Sequence, residues 1–221
     1  IIANRNGEVQ TISGIGQAAQ HLSGYAIGGQ GATIPVRGPR SALTTAAAVD
    51  ALGLAFDLSR TQMGGTRSWE SLLAPAVQLA RDGFEVTESA RFWLDFRRAQ
   101  AHTMPDVFAA FGTDGGAPPA GTVCRQPQLA ATLETLAVRG ARDFYEGQLA
   151  ARLAQGLHDA GSPLRAADLA AARARIEAPL CMDYRGGTLL AHQPPTQGIT
   201  TLQIMGILQR FDLASISEGS A

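Results

Sequence analysis

The residues that invite a chemical reading are a glycine-spaced turn, four histidines, two cysteines and a few hydroxyls and acids. Gly14-Ile15-Gly16-Gln17-Ala18-Ala19 fits G-x-G-x-x-A behind a strand-like run, a spacing that can hold a pyrophosphate at a helix N-terminus. That chemistry needs a helix opening at once and an acid about 20 residues on. Here the turn leads into the loop-like Gly24 to Gly31, and the next carboxylate is Asp50, so nucleotide binding is the weakest reading. It would need strand, loop and helix geometry at Gly14 to Ala19 to recover. His21, His102, His158 and His192 show neither H-x-x-x-H nor H-E-x-x-H spacing and read as surface or satisfied core residues rather than metal ligands. Glu70, Asp143 and Glu146 fall at helix starts, where acids complement the dipole, and the serines lack a G-x-S-x-G elbow. Thr200-Thr201 lies in an apolar helical stripe, where hydroxyls bond back to the preceding turn. Cys124 and Cys181 are too few for a disulfide framework or a zinc site and read as buried small hydrophobes.

Composition narrows the classes further. The 221 residues are 45% hydrophobic and 17% charged, enough apolar material for a real core and too much for disorder over most of the chain. All eighteen basic residues are Arg, opposed by nineteen acids, for a net charge of -1. A phosphate-binding groove needs an uncompensated basic surplus, so nucleic acid is excluded as a partner. No run approaches the roughly 18 apolar residues of a membrane span. The opening Ile1-Ile2-Ala3-Asn4-Arg5 is no signal peptide. With no initial Met, the chain reads as a piece of a longer product, and localisation stays open between exported and cytoplasmic.

The elements that must position any site follow from periodicity. Residues 1–13 read as a hairpin turning at Asn6-Gly7, and residues 14–40 as a Gly-rich loop. Helical signals dominate 42–172. Ser68 caps a helix whose apolar face carries Trp69, Leu72, Leu73, Ala76, Val77 and Ala80, with a kink or break at Pro75 and a stop at Gly83. Pro127 opens a second, carrying Leu129, Leu133 and Leu136, that ends at Gly140, and Leu149 to Ala160 forms a third. Residues 109–121 read as a loop. From Ile176 to Met182 the period becomes two, with Pro179 at an edge or bulge, and Thr188 to His192 returns as the partner strand. A last helix carries Ile199, Leu202, Met205 and Leu208 on one face. The fold class is therefore α+β, a helical middle bracketed by strand pairs.

Read as a string, the chain resembles the large subunit of the gamma-glutamyltransferase (gamma-glutamyltranspeptidase) family. The stretches that carry the resemblance are Leu72-Leu73-Ala74-Pro75-Ala76, Ala80-Arg81-Asp82-Gly83-Phe84-Glu85-Val86, Gln126 to Leu133 and Gly140-Ala141-Arg142-Asp143-Phe144-Tyr145-Glu146-Gly147. They continue through Ala166-Ala167-Asp168-Leu169, Ala178-Pro179-Leu180, Tyr184-Arg185-Gly186, Pro194-Pro195 and Phe211-Asp212-Leu213. The resemblance implies an N-terminal nucleophile hydrolase with an αββα sandwich, of which residues 1–221 are a single-domain piece, an incomplete large subunit. It implies a precursor that cleaves itself and exposes a Thr whose own amine activates its hydroxyl. That Thr attacks a γ-glutamyl amide such as glutathione, forming an acyl-enzyme whose acyl group passes to water or to an amino acceptor. The resemblance thus implies an amide hydrolase or acyl transferase with no cofactor and no metal, and the small subunit of the same precursor is the partner.

Two departures bear on the site. The nucleophile Thr is expected downstream of residue 221, so no catalytic residue is expected in this chain, and Thr200-Thr201 are decoys. The family also carries an Arg that binds the substrate α-carboxylate in an Asp-x-Arg-Glu-x-Ala-Pro segment; the aligned residues are Ser13 to Ala19, and Ile15 stands where that Arg would be. Arg37 and Arg40 are the candidate replacements for substrate binding. Thr45-Ala46-Ala47 replaces a Val-Pro-Gly, and the segment is closer to the amidohydrolase branch exemplified by oxamate amidohydrolase. A non-catalytic structural or interaction relative is the alternative from another class.

Overall fold

The computed structural model describes residues 1–22, 34–103, 105–112, 116–217 and 219; residues 23–33 of the Gly-rich segment expected over 14–40 lie outside that set. The described chain separates into two compact units, residues 15–173 and residues 1–14 with 174–221.

The first unit is helical. Helix α1 spans Ala48–Gln62, α2 Trp69–Asp82, α3 Glu88–Phe96 and α4 Pro105–Phe111. Helix α5 spans Pro127–Arg139, α6 Asp143–Glu146, α7 Gln148–Asp159 and α8 Ala166–Ala171. The Ser68 hydroxyl accepts from the Ser71 N–H at 3.2 Å, satisfying an orphan donor at the start of α2. Gly83 and Gly140 end α2 and α5 at positive φ (104° and 83°), where a side chain would be strained. Helices α2 and α5 pack together through the buried Val77, Ala80, Ala130 and Leu136, and the Trp69 indole N–H donates to the Leu136 carbonyl at 2.9 Å.

Of the kink or break that Pro75 predicts, the break does not occur: α2 runs on through it. The proline removes the hydrogen bond to the carbonyl of Ser71, and because both residues are exposed, water can satisfy that carbonyl. Two further readings are corrected. Part of the loop expected over 109–121 is helix, since α4 continues to Phe111. The helical middle also contains a two-residue ladder, β3 (Phe84–Glu85) against β4 (Val123–Cys124), too short to leave a periodic signal.

In the second unit, β1 (Ile2–Ala3) and β2 (Val9–Ser13) form the expected hairpin, Ile2 opposite Gln10 and Ala3 opposite Val9. The Asn4 carboxamide oxygen accepts from the N–H groups of Asn6 and Glu8, and Gly7 supplies the positive φ of the turn (81°). β2 also pairs with β5 (Arg175–Glu177), Thr11 opposite Glu177 and Ile12 opposite Ile176, which buries Thr11 completely; its hydroxyl donates to the Glu177 carbonyl. The strand read as continuous from Ile176 to Met182 is divided at Ala178-Pro179. β6 (Leu180–Tyr184) belongs to a separate hairpin with β7 (Gly187–Ala191), because proline offers no N–H to continue the ladder. Helix α9 (Gly198–Leu208) then packs on β6 and β7, with Leu202 buried.

Both cysteines are free. Cys181 is exposed and Cys124 half-buried, which corrects the reading of both as core residues: each sits on a short strand, where alternation turns every second side chain outward. Among the described residues no helix is long and apolar enough to cross a membrane.

Candidate substrate-facing segment

Residues 15–19 carry the Gly-x-Gly spacing and the position where the resemblance places a carboxylate-binding Arg. They are extended and run antiparallel to residues 43–45. Thr45 N–H donates to the Gln17 carbonyl at 2.9 Å, Ala19 N–H to the Leu43 carbonyl at 2.9 Å, and Ala18 bridges Thr44. Among the described residues no helix opens directly behind the glycines, as a pyrophosphate site would require, and the nucleotide reading falls. The glycine serves packing instead: a Cβ on Gly16 would lie 1.6 Å from the Thr45 carbonyl oxygen.

Gln17 is held on three sides. Its backbone N–H donates to the Thr45 hydroxyl at 3.1 Å, its side-chain oxygen accepts from the Arg173 backbone N–H at 3.3 Å, and its side-chain nitrogen donates to the Ile15 carbonyl at 3.1 Å. Ile15 remains 37% exposed, so an apolar side chain faces outward from a fixed backbone. One step on, Gln20 N–H donates to the buried carboxylate of Asp168 at 2.8 Å; the same carboxylate accepts from Arg165 N–H at 2.8 Å and starts α8. In the sequence Asp168 stands out only as part of the stretch Ala166-Ala167-Asp168-Leu169.

The facing residues, 43–47, lead into α1, whose N-cap residue Ala47 offers no side-chain acceptor. Tyr145 supplies one: its hydroxyl accepts from the Asp50 N–H at 3.0 Å and donates to the Ala46 carbonyl at 2.8 Å. The ring is fully buried, and burial raises the phenol's pKa above its ordinary value. The Arg142 guanidinium lies 4.8 Å from that ring's centre and donates to Asp50 at 2.7 Å and to Glu146 at 2.5 Å. Burial opposes the charge on Arg142, but the hydrogen bonds to Asp50 and Glu146 outweigh it and the pKa rises. Glu146, bonded by Arg142 and by Arg173 at 2.7 Å, is held below the usual carboxylate range.

Arg37 and Arg40 are both exposed, on the stretch preceding Leu43. The stem of Arg40 passes beside Gly161. The Thr201 hydroxyl bonds back to the Gln197 carbonyl at 3.3 Å within α9, as expected of a helical threonine. Among the described residues no group of three His, Cys, Asp or Glu could hold a metal ion.

The α+β architecture overlays the solved gamma-glutamyltranspeptidase of Helicobacter pylori with a TM-score of 0.88 at 23% identity, covering 100% of this chain and 63% of that one. The fold is that of the N-terminal nucleophile hydrolases. The gamma-glutamyltranspeptidase family model matches residues 1–221, and the chain belongs to that family. Similar relatives include the oxamate amidohydrolase proenzyme of Klebsiella pneumoniae, 40% identical over 185 residues, which cover 84% of this chain and 35% of the relative. The glutathione hydrolase proenzyme of Escherichia coli is 34% identical over 161 residues, covering 71% of this chain and 27% of the relative. The chain thus spans about a third of the length of these curated relatives.

Proposed function

We propose that residues 1–221 form part of the large subunit of a proenzyme that cleaves itself and then hydrolyses a small amide, with the nucleophilic Thr and the small subunit supplied by the rest of the precursor. The Thr hydroxyl gives its proton to its own α-amine and adds to the amide carbonyl. The tetrahedral intermediate expels the amine, which takes that proton, and leaves an ester that water hydrolyses. Backbone N–H donors stabilise the oxyanion. No metal or cofactor is required for this chemistry.

The observation that carries the substrate reading is Ile15, exposed at the position where the resemblance places a guanidinium. A γ-glutamyl substrate holds its α-carboxylate beyond two methylenes and the α-carbon, where an Arg can meet it; an isoleucine there leaves that charge without a partner. In an oxamate-like amide the carboxylate is bonded directly to the scissile carbonyl and does not reach so far. The 40% identity to the oxamate amidohydrolase proenzyme supports the same reading. A γ-glutamyl substrate is the second reading, favoured by the 34% identity to a glutathione hydrolase proenzyme, and it would require Arg37 or Arg40 to bind the α-carboxylate.

The test is to express the complete precursor, follow its cleavage on a denaturing gel, and assay oxamate and glutathione side by side. Self-cleavage with oxamate turnover exceeding that of glutathione is expected. Efficient glutathione turnover with Ile15 intact transfers the reading to γ-glutamyl compounds. An uncleaved, inactive precursor would make this protein a non-catalytic relative.

A further inference from the structure

We propose that Tyr145 is a positioning residue for the substrate-facing segment, fixing residues 15–19 through the start of α1. The proposal rests on the reading of Ile15 as substrate-facing. Its physical basis is a chain of contacts within one compact unit. The Tyr145 hydroxyl closes the first turn of α1 by taking the Asp50 N–H, one of the donors a helix start leaves orphaned, and simultaneously holds the Ala46 carbonyl. Ala46 directly follows Thr45, which bonds the Gln17 backbone through both its N–H and its hydroxyl. Gln17 in turn holds the Ile15 carbonyl.

The arrangement is over-determined in a way that bare packing does not require. Arg142 sits beneath the Tyr145 ring and also grips Asp50, so ring and helix start are tied twice. Arg173 pairs with the Glu146 that Arg142 holds, and its backbone N–H reaches the Gln17 side chain, so the segment is approached from the opposite side by the same cluster. Tyr145 is 1% exposed. Removing its hydroxyl oxygen takes away the bonds to the Ala46 carbonyl and the Asp50 N–H while the ring still fills its space.

The experiment uses Tyr145→Phe in the complete proenzyme. If Tyr145 positions the segment, KM for the amide substrate rises about tenfold while kcat changes by less than about twofold, because ground-state binding geometry is what loosens. In parallel, hydrogen exchange at the Gln17, Ala19 and Gln20 amides speeds about tenfold, with α2 and α5 unchanged. A merely structural role would lower the melting temperature, leave KM unaltered and speed exchange uniformly, and that result overturns the proposal. Should the wild-type enzyme turn over no amide, the functional reading fails, and exchange at residues 17–20 decides the positioning role by itself. If Tyr145→Phe does not fold, Thr45→Val removes the hydroxyl link to Gln17 at the far end of the same chain. The same local rise in exchange is expected there, and unchanged exchange at Gln17 overturns the proposal.

Discussion

The Arg142 guanidinium donates to the Asp50 carboxylate at 2.7 Å, joining the short helix α6 to the first turn of α1 across 92 residues of sequence. The same guanidinium donates to the carbonyls of Ala172 at 3.0 Å and Ala170 at 3.3 Å, beyond the end of α8 and within it. One side chain at the start of α6 thus ties together an acid in the first turn of α1 and the carbonyls at the C-terminal end of α8, where a cation complements the helix dipole.

Replacing Arg142 with Met therefore removes more than a surface pair. Asp50 keeps a carboxylate whose side chain is only 12% exposed, while Arg142 is 35% exposed and partly hydrated. A loss of about 2 kcal/mol is expected, below the ~3–5 kcal/mol of a fully buried pair because solvent screens this one. Arg91→Ala on α3 is the control: its pairs with Glu88 and Asp95 are exposed, and the cost should be at most about 0.5 kcal/mol. Thermal melting of the full-length protein measures both.

Glu146 gives the cluster a pH dependence of known sign. Its folded pKa is depressed by the hydrogen bonds from Arg142 and then Arg173, so its contribution is complete above the unfolded carboxylate pKa of about 4.3 and is lost as pH falls through the lower, folded value. Glu146→Gln should be less stable than wild type at neutral pH, and the two should converge in acid. Melting curves at stepped pH check this; a gap that persists in acid shows that charge is not what Glu146 contributes.

Two glycines predict opposite outcomes. Gly16→Ala drives a Cβ into the Thr45 backbone, which cannot yield as a flexible side chain could, so a loss of about 3 kcal/mol or precipitation is expected. Gly156 lies exposed inside α7 with open space around the position a Cβ would take. Gly156→Ala should therefore stabilise by about 0.4–1 kcal/mol through reduced freedom of the unfolded chain. Expression level and melting temperature of the two variants decide.

Ile15→Arg tests the substrate reading directly. If position 15 faces the substrate as proposed, placing a guanidinium there should improve kcat/KM for a γ-glutamyl anilide by at least about tenfold, roughly one charge-assisted hydrogen bond. It should leave oxamate turnover level or lower. Steady-state assays on the mature enzyme measure the ratio, and no gain with the anilide would remove Ile15 as the determinant of specificity.

Much of this protein is legible in its amino-acid string because helix ends are local events. Ser68, Pro127, Gly83 and Gly140 start or stop their helices by satisfying, lacking or bending backbone groups within a few residues, and the hairpin at Asn6-Gly7 follows from turn chemistry of the same range. The ladder of β3 with β4 escaped that reading because two residues carry no period, and the exposure of Cys181 escaped it because alternation shows spacing without showing which face is covered.

The candidate segment divides along the same line. That the resemblance would place an Arg where Ile15 stands, and that Gly14 to Ala19 lacks the following acid of a nucleotide site, could be read from the residues in order. What only the tertiary structure decided is how that segment is held. Tyr145 caps a helix from 95 residues away, and Asp168 takes the Gln20 N–H from 148 away. Neither pairing leaves a trace in local spacing. Both exist because backbone donors and acceptors withdrawn from water must find partners wherever the folded chain brings them.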